Sequence, residues 1–184
     1  RRTLYACAWI AAILVVAGVV GVARTRADLS RSVATVEGTP LELVCPAWST
    51  SPAPAAVVVH GFSGSRQVMY GIGQTLARNG MCAAIIDLTG HGSNLSHMGV
   101  SVAPGRAAGL DAAVASAVKF LRSRPGVAPG RIALVGHSMG AGIVVRYAAQ
   151  HPDIAATVSI SAPGTAKTGP QADRPRNLLL VVGA

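Results

Sequence analysis

The 184 residues are 51% hydrophobic and only 12% charged, which excludes a disordered chain and supplies one core. Sixteen Lys plus Arg against seven Asp plus Glu give a formal charge of +9, yet only 4% of the chain is aromatic; with the basic residues scattered, a nucleic-acid groove with stacking platforms is excluded. Cys7, Cys45 and Cys82 form neither a disulfide framework nor a Cys/His cluster at zinc spacing, so no metal or cofactor is expected.

Residues 3–23 carry no charge. At about 1.5 Å per residue a helix of that length reaches the roughly 30 Å of a bilayer's hydrocarbon layer. Tyr5 and Trp9 sit toward one end, where amphipathic rings favour the interface, and Arg1, Arg2, Arg24, Arg26 and Arg31 flank the run. The membrane is therefore the expected partner of this segment, in a single pass. A cleaved signal peptide is the competing reading, with Gly21-Val22-Ala23 as the cleavage site and a secreted product. The apolar run exceeds the usual 7–15 residues of a signal, which favours an uncleaved anchor. Positive charge on both sides leaves the orientation open. Residues 1–27 are thus read as anchor or signal, 28–40 as a polar linker, and 41–184 as the folded domain.

Within the domain, residues 41–45 form an early strand, and 49–54 a turn-rich break. Residues 55–59 are a continuous apolar run with three valines, the pattern of a strand buried on both faces. A helix over 65–79 stops at Gly80, followed by a strand at 81–88 and a helix at 107–122. A strand at 131–135, a helix at 139–150, and strands at 155–160 and 177–182 complete the chain. Strand and helix in alternation predict an α/β fold: a mostly parallel sheet with helices on both faces. Cys45 and Cys82 can bridge if the domain lies outside the cytoplasm.

The most informative stretch is Gly136-His137-Ser138-Met139-Gly140, between an apolar strand and an apolar helix. So tight a turn needs Gly136 and Gly140, because neighbouring backbone comes too close for a side chain. It thrusts Ser138 out at the strand's carboxyl end and at a helix amino terminus, where negative charge is favoured.

With Val57-Val58-Val59-His60-Gly61-Phe62 and Ile85-Ile86-Asp87-Leu88-Thr89-Gly90-His91-Gly92 before it, this motif resembles the α/β-hydrolase family in order and spacing. The resemblance covers about residues 41–184 and implies that Ser138 is the nucleophile. It implies an oxyanion hole made of the Phe62 and Met139 N–H groups, supported by His60, Gly61, Gly136, His137 and Gly140. His60 then braces the loop and is not the general base. Asp87 and His91 precede the serine, against the family order of nucleophile, acid, histidine, and are read as structural or substrate-side. His137 points away from the nucleophile, and His97 and His151 belong to loops or surface.

In relatives the acid follows the strand equivalent to 177–182, with the histidine one strand and helix later. Neither is expected in these 184 residues: Asp153, Asp173 and His151 fit neither role. This stretch alone is therefore expected to turn over little, since a serine hydroxyl without a base is a poor nucleophile. The connection 162–176 is too short for a lid domain. The expected function is hydrolysis of a small-molecule or lipid-like acyl substrate, an ester or related bond. The competing reading is a non-catalytic, membrane-tethered binding or scaffold domain that keeps the sheet and the serine turn. Oligomeric state is not legible.

Overall fold

The computed structural model describes residues 2–24, 27–48, 52–95, 105–162, 175 and 177–182. His97, Asp173 and most of the 162–176 connection lie outside them.

Helix α1 (Arg2–Arg24) comes first, and its span Tyr5–Ala23 has none of its surface buried. Where a linker was expected, the chain forms strand β1 (Leu29–Val36), paired antiparallel along its whole length with β2 (Thr39–Pro46). The correction has a local cause. Glu37 and Gly38 both take positive φ, 48° and 80°, the two-residue hairpin turn whose twist matches its flanking strands. Half of β1 is polar, in keeping with an edge strand most of whose side chains are exposed. Arg31 on β1 reaches across to Glu42, a buried carboxylate on β2, with its Nε donating at 2.6 Å.

The remaining strands are β3 (Ala53–Val59), β4 (Cys82–Ile86), β5 (Val127–His137), β6 (Ala156–Ile160) and β7 (Leu178–Val181). They order as β1-β2-β4-β3-β5-β6-β7. The β2–β4 pairing is antiparallel, and every pairing from β4 to β7 is parallel. The sheet is mixed and mostly parallel. Register places Val44 opposite Ala83, so the next pair outward is Cys45 and Cys82, which are disulfide-bonded with Cα atoms 4.2 Å apart. Cys7 is a free, exposed cysteine on α1.

Helices α2 (Tyr70–Arg78), α3 (Gly105–Arg122) and α4 (Met139–Gln150) cover the sheet. A 3-10 turn, Arg66–Met69, leads into α2, so the helix expected over 65–79 splits in two. The apolar run of β3 divides by alternation. Ala55, Val57 and Val59 join the layer under α3 and α4, with Leu134, Leu121 and Val144. Ala56 and Val58 join the layer under α2, with Val44, Ile85 and Met69. Val57, Val58 and Val59 are fully buried, and each such side chain contributes about 1.5–3 kcal/mol. The rigid centre of the sheet therefore ends at residue 59, where the loop toward Ser138 begins.

Candidate active site

Strand β5 delivers the chain to Ser138 and α4 starts at the next residue. Ser138 stands at φ 52°, ψ −117°, with no side-chain cap hydrogen bond. A non-glycine residue there is strained by about 1–3 kcal/mol, and such strain persists only where the surroundings hold it. They do: Ser138 N–H donates to the Ile160 carbonyl of β6 at 2.9 Å, and its own carbonyl accepts from Ala141 N–H at 3.0 Å.

The two motif glycines bring three segments into backbone contact. A Cβ on Gly136 would lie 2.3 Å from the Gly140 carbonyl oxygen. One on Gly140 would lie 2.5 Å from the His60 oxygen and 2.7 Å from that of Val59. The first turn of α4 therefore rests directly on the end of β3, with no side chain between. This contact sets the loop after β3 beside the serine: a Cβ on Gly61 would sit 3.1 Å from Ser138 Cβ and 3.2 Å from His137 Nδ1. The His137 ring thus lies against the Gly61 turn, and His137 is itself exposed.

Phe62 follows Gly61 with its side chain 65% exposed, and Met139 is half-buried. Among the described residues neither the Phe62 nor the Met139 N–H donates to a backbone carbonyl. Met139 directly follows Ser138, and Phe62 directly follows the Gly61 that abuts it.

His60 is fully buried. Its Nε2 accepts from Leu88 N–H at 3.1 Å, and its Nδ1 stands 2.7 Å from the Gly61 carbonyl. Both ring nitrogens serve the backbone, which fits a brace and leaves no nitrogen for Ser138. Burial holds this imidazole below its ordinary pKa, outweighing the Gly61 carbonyl and the Asp87 charge. His91, nearly buried, packs edge-on against Phe62 with ring centres 5.9 Å apart, and lies 5.3 Å from His60.

Asp87 is fully buried just past β4. Its Oδ1 accepts from Arg66 N–H at 2.7 Å, and its Oδ2 from Ser93 N–H at 2.9 Å and Ser93 Oγ at 2.8 Å; the Arg66 guanidinium pairs with Oδ2. Burial alone would raise this carboxyl. The Arg66 and Ser93 amides, the Ser93 hydroxyl and the Arg66 charge outweigh burial and hold it below the usual carboxylate range. Arg66 and Ser93 escaped the sequence reading. The signal was Asp87 itself, an acid closing an apolar strand, which demands a partner; the partner's identity was not encoded in any spacing.

His151 and Asp153 lie past the far end of α4, which at twelve residues is about 18 Å long. His151 stacks on Tyr147 with centroids 3.9 Å apart, and Asp153 pairs with Arg122. The length of α4 separates both from Ser138. Among the described residues no group of three His, Cys, Asp or Glu is arranged to hold a metal.

Comparison with known proteins adds three findings. Residues 54–181 match a family described as alpha/beta hydrolase fold. Uncharacterized proteins from two Mycobacterium tuberculosis strains, CDC 1551 / Oshkosh and H37Rv, are each 32% identical over 112 residues, covering 60% of this chain and 37% of theirs. The chain thus spans little more than a third of these curated relatives' length. Among solved structures, a dienelactone hydrolase-like promiscuous phosphotriesterase from metagenomic libraries superposes with TM-score 0.69 at 18% identity, covering 85% of this chain and 70% of that one. A bacterial heroin esterase gives 0.60 at 17% identity, with 82% and 50% covered. A hypothetical protein of Pseudomonas aeruginosa gives 0.63 at 20% identity, with 76% and 44% covered.

Proposed function

The chain belongs to the α/β-hydrolase family, and from that premise we propose that it is a serine hydrolase cleaving a carboxylic ester or related acyl bond through an acyl-Ser138 intermediate. One observation carries the reading. Ser138 is held at φ 52° between a buried strand and a helix amino terminus, beside a loop whose Phe62 N–H has no backbone acceptor among the described residues. Ser138 Oγ adds to the substrate carbonyl carbon, and the carbonyl oxygen takes the negative charge. The Phe62 and Met139 N–H groups receive that oxygen, the electrostatic contribution that usually dominates such reactions. Collapse expels the alcohol, and water then hydrolyses the acyl-enzyme. The hydroxyl proton passes to a general base, unassigned among the described residues, which returns it to the oxygen of the leaving alcohol. The test uses the full-length protein and a fluorophosphonate probe. Wild type should label and Ser138→Ala should not; equal labelling of both refutes Ser138 as nucleophile, and absence of labelling in both favours a non-catalytic domain.

We also propose that α1 anchors the protein in a membrane with the hydrolase domain on the oxidising side. The fully exposed apolar span Tyr5–Ala23 supports the anchor. The Cys45–Cys82 disulfide supports the compartment, because such bonds persist outside the reducing cytoplasm. Carbonate-resistant retention of the intact chain in membranes is the expected result. Release of a product beginning after Ala23 instead identifies a cleaved signal.

A further inference from the structure

The loop from His60 to Arg66 carries the Phe62 amide, and two consecutive residues after β4 hold it at both ends. At its start, Leu88 N–H donates to His60 Nε2 at 3.1 Å. That nitrogen must accept, so the ring proton sits on Nδ1 and is donated to the Gly61 carbonyl, 2.7 Å away. At its end, the Asp87 carboxylate takes both the Arg66 N–H, at 2.7 Å, and the Arg66 guanidinium. Between these points the loop is tight: Ser63 has φ 55°, and Gly64 N–H donates to the Gly61 carbonyl at 3.1 Å.

The second loop, after β4, is wrapped around the same carboxylate. Ser93 contributes its N–H and hydroxyl, and the Arg66 guanidinium donates to Ser93 Oγ at 2.5 Å. Gly92, at φ 54°, packs so closely that a Cβ there would lie 2.3 Å from Asp87 Oδ1. Asp87 is wholly buried while the Arg66 side chain keeps 13% of its surface exposed; such a pair is weak evidence for stability, since desolvation offsets its attraction, but the four donors gathered on this carboxylate fix its geometry. The geometry it fixes here is the far end of the loop that carries Phe62, whose neighbour Gly61 abuts Ser138.

We propose that Asp87 and Arg66 are positioning residues for the reaction, acting through the 60–66 loop to aim the Phe62 amide at the oxyanion. This rests on the reading of Ser138 as nucleophile. In this proposal neither side chain contacts substrate. Losing one oxyanion donor outright costs about 100–1,000-fold in kcat, and a misaimed one should cost about 10–100-fold.

The test compares full-length wild type, Asp87→Asn, Arg66→Lys and Ser93→Ala, with Leu121→Ala as a destabilised control remote from the site. Active sites are counted by fluorophosphonate labelling, p-nitrophenyl butyrate supplies kcat and KM, and an alkylboronic acid reports affinity for a tetrahedral adduct. Asp87→Asn should lose about 10–100-fold in kcat per labelled site, with KM within about threefold and boronate Ki raised in parallel. Arg66→Lys, which keeps charge and backbone N–H, should recover most of that loss, and Ser93→Ala should fall between. Leu121→Ala should lose only active sites. If Asp87→Asn does not fold, Ser93→Ala decides by the same readouts. Asp87→Asn and Ser93→Ala with wild-type kcat per labelled site, or with a lower kcat and unchanged boronate affinity, overturn the proposal. A wild type that labels while these variants behave normally sinks the positioning role alone; an unlabelled wild type sinks both readings.

Discussion

Breaking the Cys45–Cys82 link should cost the fold about 4 kcal/mol. The two cysteines are 37 residues apart in sequence, and cross-linking a chain removes disorder from its unfolded state by an amount that grows with the loop closed. The loss is about 3 kcal/mol for a fifteen-residue loop and about 4.7 for a hundred-residue loop, which brackets this case. For a domain of this size each kcal/mol moves the melting temperature by about 2–4 °C, so reduction should lower it by about 8–16 °C. The assay is thermal unfolding followed by circular dichroism, with and without dithiothreitol, on wild type and on Cys45→Ala/Cys82→Ala. A maleimide count provides the control: one reactive thiol, Cys7, before reduction and three after it. The double variant should melt near reduced wild type and ignore dithiothreitol. A shift below about 2 °C in a protein whose thiol count confirms reduction would refute the chain-entropy argument. It would mean that β2–β4 pairing already constrains the unfolded ensemble.

Three further outcomes follow from the site. Gly140→Ala drives a Cβ to 2.5 Å from the His60 carbonyl oxygen; because that neighbour is backbone, it should cost about 1–3 kcal/mol or more and abolish probe labelling. Leu134→Ala, at a fully buried position, should destabilise by about 2–5 kcal/mol in denaturant titration. Acidification should weaken the fold in two steps. The folded pKa of His60 lies below its ordinary value of 6.5, so its contribution is present above that value and is lost as pH falls below it. Asp87, depressed below 3.8, behaves with the same sign at lower pH, and its contribution disappears as pH falls through its folded pKa. Melting curves from about pH 8 to 3 check both steps, and His60→Gln should flatten only the first.

Much of this architecture was legible because it is written in short-range rules. The three valines of β3 announce a strand buried on both faces, and the glycines at 136 and 140 announce a strand-to-helix turn too close for side chains. The edge hairpin was not legible, because β1 is mostly exposed and mixes polar and apolar residues without a regular apolar alternation. Its turn, Glu37-Gly38, puts a non-glycine residue at positive φ, which residue type alone does not advertise. The disulfide depended on strand register: only the antiparallel β2–β4 pairing sets Cys45 opposite Cys82. The Arg66–Asp87–Ser93 cluster is likewise a product of topology, joining segments that the sheet brings together and the sequence keeps apart. His60, in contrast, was singled out by its motif, and both its ring nitrogens lie in hydrogen-bond contact with backbone.

The two amides beside Ser138 belong to the main chain, and the Phe62 ring faces solvent. A saturation scan would accordingly paint an inverted map of importance on the proposed chemistry. Positions 62 and 139 would tolerate many replacements, because every residue except proline supplies the same donor. Position 62 would then be the natural handle for retuning substrate preference without touching the machinery. Apart from Ser138 itself, intolerance would concentrate at 61, 136 and 140, where no reacting atom resides.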